Sequence, residues 1–468
     1  MRVKKNQVVE VEIENIAFGG KGLAKLNGYT VFIDQAVPGD LAAVRIFKKK
    51  KSYAEARIEQ LIKPSPLRID APCPYSGYCG GCKWQFLEYG QQTEYKRNHV
   101  QESLQHIGRL YDVPVLDTLP SPKVFGYRNK MEFTCARRRW LLPKEMEAKD
   151  PLQAGMGLGL HVPGTFYKVL DTRVCFLQPD LGNHILNDVR RYIKASSLPV
   201  YDLRSHTGFW RFVTLRHSVA RDNWMVNLVT AEEDHETVQS LADTLMKKHP
   251  QIASVVNNIT DRKAGVAVGQ KEIHLGGSPY LKDRIGTYDF KISANSFFQT
   301  NTAGAEQLYA TVKKYAGLKG HETVLDLYCG TGTIAIFLSD AAHEIIGIEQ
   351  VESSVRDAEN NCRTNHVDNC RFIRGDMRDC LQKLDLATDV MIVDPPRAGM
   401  HKDVVRRILS MLPNKIIYVS CNPAALARDV AMMSEHYQIE KVQPVDLFPH
   451  TYHIESVSLL TKKDLNSI

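Results

Sequence analysis

The sequence predicts an α/β protein in three parts: a small β-barrel, a central α/β domain with a cysteine cluster, and a C-terminal doubly wound sheet. Three observations carry that reading. Residues 1–62 alternate apolar and polar side chains in short runs broken by glycine turns. Three cysteines then crowd into residues 73–82. From about residue 286, short apolar runs alternate with helical patterns, as in a sheet covered on both faces.

Composition narrows the class before any motif is read. The 468 residues, 43% apolar and 24% charged, are globular in balance, which excludes wholesale disorder. No run of about 18 uncharged apolar residues occurs, so no membrane-crossing helix is expected. The segment MRVKKNQVVEVEIEN has no continuous apolar core, so it does not read as a secretory signal, and the expected address is cytoplasmic. Ten cysteines are too few for a disulfide scaffold. The net charge of +7 is unevenly placed: residues 1–145 hold 24 Lys and Arg against 15 Asp and Glu, the remainder 36 against 38. A polyanion partner is the natural reading of that first third.

In residues 1–62 the runs Val8–Ile13, Tyr29–Ile33 and Ala42–Ile46, with turns at Gly19-Gly20 and Pro38-Gly39, give about five short strands. Phe47 leads into Lys48–Lys51, then Tyr53 and Arg57. That run reads as an RNA-backbone contact, the plainer alternative being solvated lysines that guard an edge strand. Ile62–Pro66 is a linker. Residues 68–285 form the central domain. Its loop Cys73-x5-Cys79-x2-Cys82 holds three thiols with glycines between them, the composition of a loop wrapped around zinc or an iron–sulfur centre. Both centres need a fourth ligand, and Cys175 is the first choice over Cys135, which sits in a strand-like run. A helix is expected from about Gln85 to Ile107, ended by Gly108, and another over Glu236–Lys248.

Residues 286–468 carry the chemistry. Thr323–Leu327 is a buried strand that enters the turn Tyr328-Cys329-Gly330-Thr331-Gly332 and then a helix. Gly330 and Gly332 let the backbone approach a nucleoside, and Glu349, 17 residues beyond Gly332, ends the next strand where an acid can hold ribose hydroxyls. Asp376 follows the third strand, suited to an adenine edge, and Asp394 begins Asp394-Pro395-Pro396-Arg397 after the fourth. NAD and S-adenosylmethionine both fit such a crevice. Cys421 stands at the end of the fifth strand, and Glu455 opens the last one. A cysteine and a carboxylate over a methyl donor make a coherent chemistry. A thiolate adds to C6 of a pyrimidine, C5 becomes nucleophilic toward a sulfonium methyl, and a base then removes the C5 proton.

The motifs DLYCGTG, DPPR, SCNP followed by ARD (Cys421 to Asp429) and FPHTYHIE together resemble the S-adenosylmethionine-dependent RNA uracil-5-methyltransferases. The resemblance spans nearly the whole chain, and residues 1–62 look like a TRAM barrel. The cysteine loop is similar to that of the iron–sulfur-bearing branch that acts on 23S rRNA. The resemblance implies a [4Fe–4S] cluster on Cys73, Cys79, Cys82 and Cys175, with zinc the lesser alternative. It implies Cys421 as nucleophile and Glu455 as base. Gln299, in Asn295–Asn301, and Tyr328 join Gly330, Gly332, Glu349, Asp376 and Asp394 around cofactor and uracil. The helix near 85–112 is implied to pack with the catalytic domain. The partner is RNA, 23S rRNA first and tRNA second, with no protein partner and a monomeric enzyme. Reaching C5 requires an unstacked, flipped base. Lys130 and Arg137–Arg139 are read as phosphate contacts, Arg137–Arg139 being equally a solvated turn.

Overall fold

A computed structural model describes residues 4–147, 154–263 and 265–464. The first six strands are β1 (Val8–Glu12), β2 (Asn15–Ile16), β3 (Gly22–Leu26), β4 (Tyr29–Asp34), β5 (Leu41–Lys49) and β6 (Tyr53–Lys63). They form one sheet in the order β1-β5-β6-β4-β3-β2. Alternation fixes its inner face: Ala42, Val44 and Ile46 of β5 meet Ala54 and Ala56 of β6 and Val31 and Ile33 of β4 in one core. Register shifts between β5 and β6 bend the pair and curl the sheet. The count is six strands, not about five, because Asn15–Ile16 pairs with β3 as a short strand of its own.

The first helix, α1 (Tyr89–His106), starts four residues later than its apolar pattern predicts. Trp84, Phe86 and Leu87 are instead buried with Ile16 and Val37 against the barrel. Glu88 then caps the helix by accepting from Gly90 N–H and Gln91 N–H, both at 2.9 Å. Val100 and Leu104 of α1 pack in the same core as Leu426, Ala427 and Val430, far along the chain.

The central sheet is built from β7 (Lys130–Ala136), β8 (Gly157–Gly159), β9 (Trp210–Ser218), β10 (Asn223–Thr230), β11 (Ile252–Ile259) and β12 (Lys271–Gly277), in the order β12-β11-β10-β9-β7-β8. The helices α2 (Pro143–Met146), α3 (Asp180–Ala195) and α4 (His235–Lys248) accompany it, and Ile185, Leu186, Leu241 and Leu245 of α3 and α4 share its core. A hairpin of β13 (Leu281–Ile285) and β14 (Tyr288–Ile292) follows. Its Leu281, Ile285, Phe290 and Ile292 pack with Leu308 and Val312 of α5 (Thr302–Ala316), so the passage to the last domain runs through this hairpin.

The last sheet comprises β15 (Thr323–Leu327), β16 (Glu344–Glu349), β17 (Cys370–Arg374), β18 (Val390–Val393), β19 (Lys415–Ser420), β20 (Tyr437–Val445) and β21 (Glu455–Lys462). Its order is β17-β16-β15-β18-β19-β21-β20. The first five strands are parallel, and β21 is inserted antiparallel between β19 and β20. The helices α6 (Thr333–Leu338), α7 (Glu352–Asn365), α8 (Met377–Lys383), α9 (Lys402–Met411) and α10 (Pro423–Met433) cover it, giving one apolar core on each face. Strand order reverses between β15 and β18, which opens a crevice beyond their carboxyl ends. No helix among the described residues is long and apolar enough to cross a membrane.

Candidate active site

At that crevice β15 ends in a strained turn. Tyr328 (φ 63°), Gly330 (φ 54°) and Gly332 (φ 73°) are all left-handed. A Cβ on Gly332 would lie 2.8 Å from the Phe372 ring, so the turn can sit this close to β17 only without one. Above Gly330 a Cβ would meet nothing within 4 Å, which leaves its backbone open to a ligand. Glu349 ties this turn to β16: its Oε2 accepts from Gly330 N–H at 3.1 Å and its Oε1 from Val351 N–H at 2.7 Å. Burial pushes the Tyr328 phenol up to about 12, and the charges of Asp429 and Asp376 add to that.

Gln299 approaches from the loop before α5. Its carbonyl accepts from Asn129 Nδ2 at 2.7 Å, which clamps this loop to the entrance of β7, and its side chain bonds the buried Tyr309 hydroxyl. The same hydroxyl lies 2.9 Å from Thr333 Oγ1. Asp376 is placed differently from the others. It caps α8, accepting from Arg378 N–H at 3.0 Å and Arg378 Nε at 3.1 Å, and Arg378 holds its carboxyl below the usual range.

Cys421 and Glu455 are brought together by strand register. Ser420, the last residue of β19, pairs with Ser456 of β21, so one step further places Cys421 beside Glu455. Burial pushes the Cys421 thiol up to about 11, the Glu455 and Asp394 charges add to it, and Arg397 opposes them. Glu455 is raised well above the carboxylate range by burial and then by Asp394, against Arg397. Desolvation alone takes Asp394 to about 7. Two carboxyls and a thiol therefore share one poorly hydrated space, with the charge of the solvent-exposed Arg397 acting on Cys421 and Glu455. Asn422 builds the rim, donating through Nδ2 to Arg397 O at 2.8 Å and capping α10 through its Oδ1.

Several residues here carried no role in the sequence reading. Arg397 was legible only as the last letter of DPPR. Asp326 is 1% exposed, and burial and then Asp394 raise its carboxyl, against the backbone N–H of Ala335. Its signal was the first letter of DLYCGTG. The loop that delivers Glu455 is anchored by Asp446, whose Oδ1 accepts from the wholly buried Lys96 Nζ at 2.5 Å and whose Oδ2 accepts from Tyr89 OH at 3.0 Å. Contacts separated by some 350 positions leave no local trace in a sequence.

The four cysteines of the expected cluster are also brought together. Cys73, Cys79, Cys82 and Cys175 line one small recess, all as free thiols. Among the described residues, no group of three or more His, Cys, Asp or Glu side chains stands in ready metal-binding geometry. The surroundings suit an anionic centre nonetheless. Arg128 is buried beside Cys82 and Cys175 with its Nε unbonded among the described residues, and Gly81 N–H points at Cys79 Sγ at 3.3 Å. Burial pushes the Cys82 thiol to about 12 and that of Cys175 to about 11. Cys135 is buried among Phe133, Leu158 and Leu177 and does not line the recess.

Comparison with known proteins agrees with this geometry. Residues 222–463 match the tRNA (uracil-5-)-methyltransferase family, and residues 2–58 match the TRAM domain. An RNA methyltransferase of Chlorobaculum tepidum is 38% identical over 99% of this chain and 98% of its own length. One from Bacteroides thetaiotaomicron is 39% identical over 95% of this chain and 99% of its own. Among solved structures, the Pyrococcus abyssi tRNA (uracil-54, C5)-methyltransferase, in complex with S-adenosyl-L-homocysteine, is similar with a TM-score of 0.75 and 28% identity. It covers 97% of this chain and 100% of its own. An enzyme that acts on tRNA thus matches this chain through its N-terminal part as well, so that part does not mark the ribosomal branch. With the family matched across the crevice and relatives of this identity along its whole length, the chain belongs to the S-adenosylmethionine-dependent RNA (uracil-5-)-methyltransferases.

Proposed function

We propose that the chain methylates C5 of a specific uridine through a covalent enzyme–RNA adduct, with Cys421 as nucleophile and Glu455 as base. The placement of Cys421 and Glu455 one register step beyond the Ser420–Ser456 pair carries this reading. The Cys421 thiolate adds to C6 of the flipped uracil, and the electron pair moves to the C4 carbonyl as an enolate. C5 then attacks the sulfonium methyl, the S–CH3 bond breaks and S-adenosylhomocysteine leaves. Glu455 takes the C5 proton, and the thiolate is expelled as C5=C6 re-forms. The raised proton affinity of Glu455 suits the base role. Arg397 favours the thiolate, and Asp394 stands where the uracil edge would lie. Gly330, Gly332, Glu349, Tyr328 and Gln299 hold the donor. Asp376 would reach adenine in this reading through Oδ2, since both Arg378 contacts end on its Oδ1.

The barrel of residues 1–62 holds RNA, residues 68–285 bear the cysteine loop, and residues 286–468 perform the transfer, in the cytoplasm and as a monomer. Cys73, Cys79, Cys82 and Cys175 would hold a [4Fe–4S] cluster, or zinc in its place. Methyl transfer is redox-neutral, so the centre would serve as a structural tie. Large-subunit rRNA is the first substrate reading, from the similarity of the cysteine loop to the ribosomal branch. tRNA is the second, favoured by the full-length match to the Pyrococcus enzyme.

The test supplies the purified protein with deproteinised 23S rRNA or tRNA and a radiolabelled methyl donor, then maps the label. C5-methyluridine in one RNA is expected, and its absence from both sinks the proposal. Cys421→Ala should reduce transfer to background. Glu455→Gln should accumulate a protein–RNA adduct that survives denaturing gels.

A further inference from the structure

A groove of about 720 Å³ lies on the central domain, away from the crevice, where the chain leaves β7. Most of its wall comes from Cys135–Leu141 at and after the end of β7, Tyr167–Val169 and Tyr201–Arg204, with Met146 and Ala154 completing it. Lys168 Nζ sits 3.9 Å from the centroid of Trp140, and the Arg204 guanidinium 4.8 Å from that of Tyr167. Tyr167 is 41% exposed and its neighbour Phe166 70% exposed. Arg139 is paired with Glu145 at 2.7 Å, whereas Arg137, Arg138, Lys168 and Arg204 form no ion pair with a described residue. Among the described residues the one carboxylate lining the groove is Asp202, whose Oδ1 accepts from Arg204 N–H and Ser205 N–H at 2.7 and 3.0 Å and whose charge also interacts with Arg137 and Arg204.

Four cations that form no ion pair with a described residue, Lys168 and Arg204 among them laid against Trp140 and Tyr167, surround half-buried and exposed aromatic rings and complement a polyanion that also carries flat rings. Single-stranded RNA is that ligand: its phosphates meet guanidinium and ammonium groups while an unstacked base lies on an aromatic face. A duplex hides its base faces, and an acidic peptide has none to offer. The groove is also tied to the active site by a rigid element. Asn129, which holds the Gln299 carbonyl, directly precedes β7, and Arg137 directly follows it. Seven strand residues span about 23 Å.

We propose that this groove binds a single-stranded part of the RNA substrate several nucleotides from the target uridine, stacking a base on Trp140 or Tyr167 with its phosphates on Arg137, Arg138 and Arg204. The proposal rests on the RNA substrate of the family and adds a second place where that RNA is held.

Trp140 makes the site observable. The other three tryptophans, Trp84, Trp210 and Trp224, are at most 1% exposed. Titrating the full-length protein with single-stranded oligouridylate should quench tryptophan emission saturably. Trp140→Phe should abolish the quench while keeping affinity by anisotropy within threefold. Arg137→Ala, Arg138→Ala and Arg204→Ala together should weaken binding about tenfold or more and lower the salt slope by about 2 for three lost contacts. An unchanged melting temperature establishes that the triple variant is folded; if it does not fold, the Trp140→Phe titration decides. Absence of quenching, equal quenching by duplex RNA, quenching by polyglutamate but not RNA, or an unchanged affinity and slope in the folded triple variant overturns the proposal. The titration needs no methyl donor, and Cys421→Ala should quench like the parent. Quenching without methylation would therefore fault the catalytic reading alone, and methylation without quenching this one alone.

Discussion

Asp394 shows how a single residue sets both stability and chemistry. Its folded pKa of about 7 lies above that of an unfolded aspartate. Below about pH 4 both states are protonated; between pH 4 and 7 the unfolded chain releases a proton that the native state keeps. Stability is therefore lost as pH rises through that window, and the loss is complete above it. Asp394→Asn should stabilise the ligand-free protein by up to about 4 kcal/mol at pH 8 and have little effect at pH 4, by urea denaturation, while lowering methyl transfer. Arg397 acts in the opposite sense on Cys421, favouring its thiolate. Arg397→Ala should raise the thiol pKa further and slow iodoacetamide alkylation of Cys421 at pH 8 by about two- to tenfold, since one tenfold step corresponds to 1.36 kcal/mol. Neither Asp394 nor Arg397 is conspicuous as a letter in DPPR. What marks Asp394 is its desolvation and what marks Arg397 is the thiol its charge acts on, and a sequence prints neither.

Among the elements, α1 is the one whose placement the sequence least discloses. Its Gln92, Lys96 and His99 are polar and nonetheless buried. Lys96 lies against Asp446, and Gln92 bonds both the backbone and the ring of His450, so the helix grips the loop that leads to Glu455. Periodicity finds a helix but not what lies against it, and polar residues at buried positions run counter to its main signal. Lys96→Ala would leave a buried carboxylate without its counter-ion, costing about 3–5 kcal/mol in urea unfolding. The strands were far more legible. β15 and β18 occur at the residues their apolar runs predict, because strands buried on both faces read as continuous hydrophobic stretches.

Over the whole molecule, the doubly wound character of the last sheet and the crevice beyond its strands followed from chain pattern, because parallel strands require crossover helices, whereas the strand order and the insertion of β21 did not. The joins between parts did not. Trp84, Phe86 and Leu87 leave the predicted helix to plug the barrel, and the hairpin at Gly286 carries residues 281–285 into the core of the last domain. The cysteine loop is joined to the active site in the same way: Lys83 N–H and Trp84 N–H, directly after Cys82, both donate to His450 O, at 2.8 and 3.0 Å. If the four cysteines hold a [4Fe–4S] centre, the protein purified without air should be brown, with about four iron atoms per chain by elemental analysis. Stripping them with chelator should lower the melting temperature and loosen protection of the 446–455 amides in hydrogen exchange. Zinc at one atom per chain would identify the other centre, and neither metal would leave the recess a thiol pocket.

The insertion of β21 between β19 and β20 also sets the timing of synthesis. Both flanking strands leave the ribosome before β21 does, yet Glu455 reaches Cys421 only when β21 enters the gap they leave. Every other part of the donor crevice is translated earlier. The juxtaposition of Cys421 and Glu455 thus waits for a strand that follows both of its neighbours in the chain.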